Sequence, residues 1–170
     1  SKDATASILP RPHYPNIALG KSADQSSVSA WSLGKTTRED AAGAVNGRTT
    51  GSYQHHTAVD QDAWWRLDLG APASVHEIRV FNCVDNQAMA ARLSRFVVEI
   101  SADGARWQVI ATKLEGNPVG GIDGNPFRVV ALRPFPCRFI RVRLPDPGCL
   151  HLDQVEVYGE LEPACNGSVR

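Results

Sequence analysis

The stretch Arg95-Phe96-Val97-Val98-Glu99-Ile100-Ser101 alternates between two faces in the way that is typical of a β-strand. Every second residue from Phe96 to Ile100 would lie on one face of that strand, and the residues between them on the other. The same two-residue period returns at positions 138–144 and 155–158. These three segments therefore predict strands that pack an apolar face against a core.

Further strand candidates of similar composition lie at residues 64–69, 75–81, 107–112 and 127–132. Gly, Pro and Asp residues typical of turns separate the candidates at 70–72, 102–104, 134–136 and 146–148. Only residues 87–93 suggest a helix, of one or two turns. Short strands without intervening helices predict an all-β fold, an antiparallel β-sandwich or jelly roll.

The length and charge of the chain limit what it can be. Its 170 residues and 18.4 kDa correspond to one domain. We expect a lead-in at residues 1–15, a folded domain at 16–160 and a tail at 161–170. The 18 basic residues balance the 18 acidic ones, which argues against a nucleic-acid partner and against electrostatic binding to a membrane. No apolar run approaches the roughly 20 residues that a membrane span needs.

The cysteines bear on the cellular compartment. Cys83, Cys137, Cys149 and Cys165 show no C-x-x-C spacing, which argues against a zinc or thioredoxin-like motif. In a secreted protein they could form two disulfides, and three pairings are open. Asn166-Gly167-Ser168 fits a glycosylation acceptor. We therefore expect an extracellular or cell-surface location.

Three loops, at residues 41–62, 82–92 and 116–126, hold the polar residues that could carry chemistry. The sequence contains no G-x-S-x-G motif, and no spacing singles out a pair of acids. We therefore expect no catalytic activity. The simplest interpretation of His55 and His56 is a pair of surface histidines, since spacing supplies no metal-ligand partners for them.

Several longer segments occur in a characteristic order: residues 16–23, Ala44-Val45-Asn46-Gly47, Trp64-Trp65-Arg66-Leu67-Asp68-Leu69-Gly70, residues 96–107 and residues 138–159. Together they resemble the discoidin superfamily, also called the coagulation-factor type C domain. Residues 51–57 and Leu150-His151-Leu152 are most similar to the F-type, fucose-binding lectins. The resemblance implies a discoidin-like β-sandwich that serves as a binding module.

The sugar motif of the F-type lectins is a histidine followed at fixed spacing by Arg-x-Asp and a second arginine. His56 matches the histidine and Asp85 the aspartate, Cys83 stands where the first arginine belongs, and Arg92 is a displaced candidate for the second. Because a hydrogen bond to a charged group contributes about 1.5–3 kcal/mol, the cysteine argues against fucose as the ligand. The resemblance implies a glycan site formed by Tyr53, His55, His56, Asn82, Asp85 and Arg92.

The same family binds a structural calcium through an A-x-D-G loop and a glutamate of the last strand. Asn46 and Gln154 take those two places here, so both anionic ligands are replaced by neutral amides. The backbone carbonyls of Gly43 and Arg48 remain as further ligands. We expect weak calcium binding at most, no other cofactor, and a hydrogen bond between Asn46 and Gln154 in place of the ion.

These observations predict a non-catalytic carbohydrate-recognition module that binds glycans through loops at one end of the sandwich. The chain would be part of a larger protein, whose other domains could be further partners. The alternative is a discoidin-type protein-interaction or structural module whose sugar site has decayed, which the departures at Cys83 and Asn46 favour.

Overall fold

Antiparallel strands make up most of the computed structural model, which describes residues 9–163. The strands are β1 (Ser22–Gln25), β2 (His55–His56), β3 (Trp64–Asn82), β4 (Phe96–Ser101), β5 (Gln108–Lys113), β6 (Phe127–Arg143) and β7 (His151–Leu161). Two short helices, α1 (Thr37–Ala41) and α2 (Gln87–Ala90), continue into 3-10 turns at Ala42–Val45 and Ala91–Leu93. The predicted all-β class is confirmed.

The strands pair in the order β2-β7-β3-β6-β4-β5, and β1 pairs with β3. Every pairing is antiparallel, as the discoidin-like β-sandwich requires. The core is a cluster of fully buried apolar side chains that the long strands contribute, among them Trp65, Leu67, Ile78, Phe96, Ile140 and Val157. Removing this apolar surface from water is the main stabilisation of the fold.

Strand β4 is buried on both faces rather than on one. Its carboxylate, Glu99, is only 2% exposed and therefore needs partners. Arg141 and Arg143 of β6 supply them as ion pairs with the two carboxylate oxygens. The alternation in the sequence thus predicted the strand, and the second buried face depends on this ion-pair group.

Two of the predicted turns lie inside strands. Residues 70–72 fall within β3 and residues 134–136 within β6, so each pair of predicted strands is one continuous strand. The pairing register of β3 with β6 shifts between Asp68 and Ala73. Gly70 lies in that interval with a φ of 83°, a left-handed conformation that glycine adopts without steric cost. The turn residues therefore mark an irregularity in β3 and not its end.

Helix α1 was not predicted from the sequence, whereas α2 and its 3-10 turn cover the predicted residues 87–93. The Thr36 hydroxyl caps α1 by accepting a hydrogen bond from the Glu39 amide at 3.1 Å. This T-x-x-E pattern is a capping-box signature. A helix of 5 residues is too short to show a helical period, which is why the pattern alone did not reveal it.

The described residues just before β1 pack on the sheet. Tyr14 stacks on His76 with ring centroids 3.6 Å apart. Ile17 is buried, and its amide donates to the Val157 carbonyl at 2.7 Å. At the other end, β7 runs to Leu161, where it pairs with Ala73.

The first 8 residues and residues 164–170, which include Cys165 and the Asn166 acceptor, lie outside the described residues. Within residues 9–163 the structure contains no disulfide, and Cys83, Cys137 and Cys149 are free thiols. None of the helices described is long or apolar enough to cross a membrane.

Candidate functional site

His56 lies in β2, the short strand that pairs with the start of β7. Its backbone N–H donates to a carboxylate oxygen of buried Asp40 at 2.7 Å. Its ring Nδ1 lies 2.6 Å from the Thr57 carbonyl oxygen. A carbonyl oxygen can only accept, so Nδ1 carries the proton. In the neutral ring, Nε2 then keeps a lone pair that is free to accept a hydrogen bond or to bind a cation.

Two more rings gather around His56. His151, its partner across the β2–β7 pairing, stacks on it with ring centroids 5.1 Å apart. Tyr53 meets the His56 ring edge-on at the same centroid distance of 5.1 Å. The Tyr53 hydroxyl donates to the Trp31 carbonyl at 2.9 Å, which fixes the loop before α1 beside the cluster.

The two stacked imidazoles are neutral at pH 7. Burial, together with the nearby His56 and Arg92, lowers the pKa of His151 to about 4. Burial also lowers the pKa of His56, although the hydrogen bond to Thr57 acts in the opposite direction. A neutral imidazole offers one donor and one acceptor, whereas a protonated ring could only donate.

His55 points into the protein and does not join this cluster. The side chain is fully buried, its Nδ1 lies 2.9 Å from Gln25 Oε1, and its ring centroid is 6.2 Å from that of Trp65. Burial lowers its pKa to about 3. Both histidines are buried, His55 completely and His56 to 4% exposure. The interpretation of the two as a surface pair is therefore wrong.

Asn82 is also fully buried. Its Nδ2 donates to the Ala90 carbonyl at 3.0 Å and to the Val119 carbonyl at 2.8 Å. The first bond attaches the end of β3 to α2, which continues into the 3-10 turn that carries Arg92, and the second attaches it to the loop between β5 and β6. Asn82 thus positions the loop and presents no atom to solvent.

The position that holds the first arginine of the F-type motif is inaccessible to solvent in this chain. Cys83 is fully buried, and burial raises the pKa of its thiol. Its Sγ donates to Asp85 Oδ2 at 3.6 Å, and Ser52 Oγ donates to Asp85 Oδ1 at 2.9 Å. Arg92 is exposed and has no hydrogen-bond or ion-pair partner within residues 9–163. Asp85 therefore binds loop residues, and the Arg92 guanidinium stays available.

A cleft of about 390 Å³ opens beside the cluster. Its walls are formed by the 3-10 turn after α2, by the loop before β7 and by the loop after β2; they include Val59, Arg92, Arg95, Leu144, Asp146 and Cys149. Arg95 and Asp146 form an ion pair at 2.7 Å on its exposed side. The cleft thus combines charged groups with an apolar wall, and its volume lies within the roughly 300–1,000 Å³ of small-molecule pockets.

A second polar group lies where the resemblance implied calcium. Gln154 Nε2 donates to the Gly43 carbonyl at 2.8 Å and to Asn46 Oδ1 at 3.0 Å. The hydrogen bond expected between Asn46 and Gln154 is thus present. Asn46 Nδ2 donates in turn to Gln54 Oε1 at 2.7 Å, and Gln54 Nε2 donates to the Arg48 carbonyl. Three amide side chains connect the loop to β7.

Two backbone donors set which way these amides face. The Gly47 N–H donates to Gln154 Oε1 at 2.9 Å, and the Arg48 N–H donates to Asn46 Oδ1 at 2.9 Å. Each amide oxygen must meet an N–H, so the Gln154 NH₂ group points at the carbonyl of Gly43. The positive end of an amide dipole therefore occupies the space between the remaining oxygen ligands.

The profile of the F5/8 type C domain matches residues 22–152, which is more than half of the chain. The chain belongs to the F5/8 type C domain family. No curated protein matched the sequence in a direct search.

Solved structures resemble this F5/8 type C domain over most of its length. An F-lectin (fucolectin) from striped bass serum, Morone saxatilis, superposes with a TM-score of 0.75 at 24% identity, covering 91% of this chain and 52% of the lectin chain. The chain thus spans about half the length of that lectin. At this identity the likeness concerns the fold.

Two neighbours are more similar in sequence. A fucose-binding module of Streptococcus pneumoniae, SpX-3, has a TM-score of 0.64 at 28% identity, with coverage of 85% and 97%. The lectin domain of lectinolysin, complexed with Lewis b antigen, has a TM-score of 0.65 at 29% identity, with coverage of 85% and 96%. The domain therefore has the discoidin or F-type lectin-like fold, and its neighbours are carbohydrate-binding modules and lectins, which are generally non-catalytic.

The calcium that the resemblance implied does not fit the residues of this F5/8 type C domain. Ca²⁺ requires several oxygen ligands with carboxylate charge among them, and an NH₂ group of Gln154 points at two of the oxygens. The carboxylate of the adjacent Asp153 already accepts from the backbone N–H groups of Thr50 and Gly51 and from Gln54. The amide group takes the mechanical role of the ion, tying the loop to β7.

Adding calcium to the EDTA-treated domain is expected to leave its Tm unchanged. The double variant Asn46→Asp, Gln154→Glu restores two carboxylates, so we expect a lower Tm in EDTA and a rise of several degrees when calcium is added. Differential scanning calorimetry with magnesium as the control ion measures both. A calcium-dependent rise of several degrees in the natural domain would contradict the expectation.

Two residues beside His56 were not among the predicted site residues: Cys149 and His151. Their spacing of two places them on the same face of an extended chain, which the sequence does show. What it does not show is that β7 pairs with β2, so that His151 stands opposite His56.

Proposed function

We propose that this domain is a non-catalytic carbohydrate-recognition module, which binds a glycan in the cleft beside His56 and Arg92. The module would act outside the cell as part of a larger protein, with the glycan as its partner. Of the predicted residues, Tyr53, His56 and Arg92 would contact the sugar. Asn82 and Asp85 would hold the loops, and His55 would support His56 from the core.

The observation that carries this proposal is an acceptor close to a donor: His56 lies beside the cleft, and nearby Arg92 is part of the cleft wall. His56 Nε2 has a lone pair because Nδ1 is bound to Thr57, and the Arg92 guanidinium has no partner within residues 9–163. A sugar hydroxyl both donates and accepts, so neighbouring hydroxyls can satisfy both groups at once. The planar guanidinium can reach two oxygens together.

The apolar part of a sugar also needs a surface. Val59 is 75% exposed and lines the cleft together with Leu144. Trp31 is 69% exposed, and hydrogen bonds made by Tyr53 and Ser32 attach its loop to the His56 cluster. An exposed indole offers a flat face of large area on which the C–H face of a pyranose can stack.

The buried Cys83 bears on which sugar is bound. The F-type motif has two arginines, and here one guanidinium remains at the site. A neutral buried thiol cannot replace a fork of charged donors. We therefore propose that the preferred glycan differs from the fucose ligands named for the neighbouring modules.

A glycan array tests the proposal. The biotinylated chain is displayed on streptavidin, so that weak sites register by avidity. We expect binding to a defined glycan that is lost in His56→Ala and in Arg92→Ala. Arg92 is exposed and unpartnered, so its variant retains the fold, and Arg133→Ala on the exposed face of β6 serves as the matched control. Binding that survives both site variants would contradict the proposed site.

Trp31→Ala is expected to weaken binding of that glycan by roughly 2- to 12-fold, which corresponds to the about 0.5–1.5 kcal/mol of an aromatic contact. The Tm should not change, because the side chain is exposed. Leu132→Ala, which removes a fully exposed apolar side chain of β6, is the control. Biolayer interferometry with the immobilised glycan gives both affinities, and equal affinities for Trp31→Ala and the natural chain would exclude the stacking role.

A protein-interaction module is the second candidate, and one observation favours it. Trp31, Leu33 and Val59 are large apolar side chains that are 69%, 67% and 75% exposed, and such side chains mark interaction surfaces where they form a patch. If the folded domain bound no glycan on the array, this candidate would be favoured over the glycan module.

A further inference from the structure

Three metal-binding side chains converge beside the cleft, and one of them, Cys149, is part of its wall. One ligand atom each of His56, Cys149 and His151 lies within 4.8 Å of the other two. The β2–β7 pairing sets His56 opposite His151. Cys149 precedes His151 by two residues, after the bridge that joins Asp60 to Gly148. Two of the three positions are thus held together by strand pairing, and Cys149 lies just before β7, next to that bridge.

The buried ring of His151 lacks hydrogen-bond partners, which is a second observation that points to a ligand. Its side chain is 1% exposed, yet neither Nδ1 nor Nε2 has a hydrogen-bond partner among the described residues. A buried polar group without a partner destabilises the fold. A metal ion that accepts the lone pair of the unprotonated nitrogen would satisfy one of the two.

We propose that His56, Cys149 and His151 form a three-ligand site for a borderline-soft divalent cation, of which Zn²⁺ is the best match, with its fourth position open to the cleft. Two imidazoles and a thiolate are ligands that Zn²⁺ prefers and that Ca²⁺ and Mg²⁺ do not. The C-x-x-C motifs that the sequence lacks belong to structural zinc sites. The present site needs none, because its ligands come from β2, from the start of β7 and from the loop just before β7.

The geometry is close to what such an ion requires. With bonds of 2.0–2.3 Å, tetrahedral zinc ligands lie about 3.3–3.7 Å from one another, so no two of the present ligand atoms have to approach by more than about 1.5 Å. Side-chain rotation can supply a change of that size. The Thr57 carbonyl already orients the His56 ring by accepting from Nδ1. A carbonyl on the far nitrogen is the usual support of a metal-bound histidine.

Charge acts in both directions at this site. The Arg92 guanidinium, which lies near both histidines, opposes a cation, whereas a Cys149 thiolate attracts one. The Thr57 carbonyl holds the His56 proton on Nδ1, so Nε2 can bind the metal without first losing a proton. Cys149 gives up its thiol proton to the buffer as the metal–sulfur bond forms, and the thiolate offsets one of the two positive charges. Cys149 is half-buried at the cleft wall, which gives the ion an entry path.

The proposed metal site does not depend on glycan binding, although it shares His56 with the proposed glycan site. Once the metal holds Nε2, that atom no longer accepts from a sugar hydroxyl. The metal site is therefore tested without any glycan, and its failure leaves the array result unaffected.

Cobalt is the probe for the test. The full chain, stripped with EDTA and kept reduced with a phosphine, is titrated with Co²⁺ after removal of the chelator. We expect one equivalent to give the visible bands of tetrahedral cobalt together with a near-ultraviolet thiolate-to-cobalt charge-transfer band. Zn²⁺ should displace it, and calorimetry of Zn²⁺ in two buffers should show release of about one proton.

Variants separate this site from other thiols. Cys149→Ser is nearly isosteric and half-exposed, so it folds, and it should abolish the charge-transfer band and weaken Zn²⁺ binding by about tenfold or more. His151→Gln should weaken it similarly. Cys137→Ser, at a buried thiol of β6, is the matched control and should bind as the natural chain does. Absence of saturable binding, or a charge-transfer band that persists in Cys149→Ser, would overturn the proposal.

Discussion

Lowering the pH from 7 to 5 is expected to reduce the free energy of unfolding of the metal-free domain by about 4 kcal/mol. His55 and His151 carry this effect, because burial lowers their pKa values to about 3 and about 4 in the folded state. In the unfolded chain a histidine titrates near 6.5. Between pH 6.5 and 5 the unfolded chain therefore binds protons that the folded domain does not bind. This lowers the free energy of unfolding by about 2 kcal/mol for each of the two histidines.

The stabilisation is complete above pH 6.5 and is lost progressively as the pH falls towards the folded pKa values. Urea unfolding in EDTA, followed by tryptophan fluorescence at closely spaced pH values, measures it. His55→Gln should have a flatter profile over the same interval, since it removes one of the two protonation sites. A free energy that stays constant between pH 7 and 5 in the natural domain would contradict the burial of these rings.

Glu77→Gln is expected to lower the free energy of unfolding by about 3 kcal/mol or more. Glu77 is 5% exposed and forms ion pairs with Arg79, 2% exposed, and with Arg128. Arg79 also donates to the Pro10 carbonyl at 2.6 Å and lies over the Tyr158 ring. Removing the carboxylate charge leaves a buried guanidinium without its counter-charge. This destabilises the fold more than replacing both charged residues by apolar ones.

Two further variants isolate the cause. Asp146→Asn breaks the Arg95 pair, whose side chains are 51% and 57% exposed, and should cost about 0–1 kcal/mol. Glu77→Leu combined with Arg79→Met replaces both buried charges and should recover most of the loss. Urea unfolding at pH 7 compares all of them. Equal costs for Glu77→Gln and Asp146→Asn would show that burial does not govern the Glu77 pair.

The proposed metal ligands and the amide group at the calcium position illustrate the limits of sequence analysis in this domain. The sequence shows that Asn46 and Gln154 stand where the family has acidic residues. This correctly indicated a hydrogen bond between the two side chains in place of the ion. The participation of Gln54 was not visible, because the distance between its amide and Asn46 depends on how the loop folds back on β7. Hydrogen-bond partners follow from three-dimensional proximity, which a residue pattern does not encode.

The sequence by itself determined the class of this protein. A period of two in the strand segments implies one buried face for each strand, since successive side chains point to opposite sides. The family motifs, from Trp64-Trp65 to the last strand, were sufficient to indicate the discoidin-like sandwich. These are local properties, and local properties can be recognised without knowing which strands are neighbours.

The tertiary structure alone decided what surrounds His56. Antiparallel pairing of β2 with β7 brings His151 against it, buries both rings and lowers their pKa values. His55 and Cys83 are fully buried as well, so neither side chain can contact a ligand in the cleft. Strand register and burial arise from contacts between residues far apart in the chain, and the pKa of a side chain depends on those contacts rather than on its sequence neighbours.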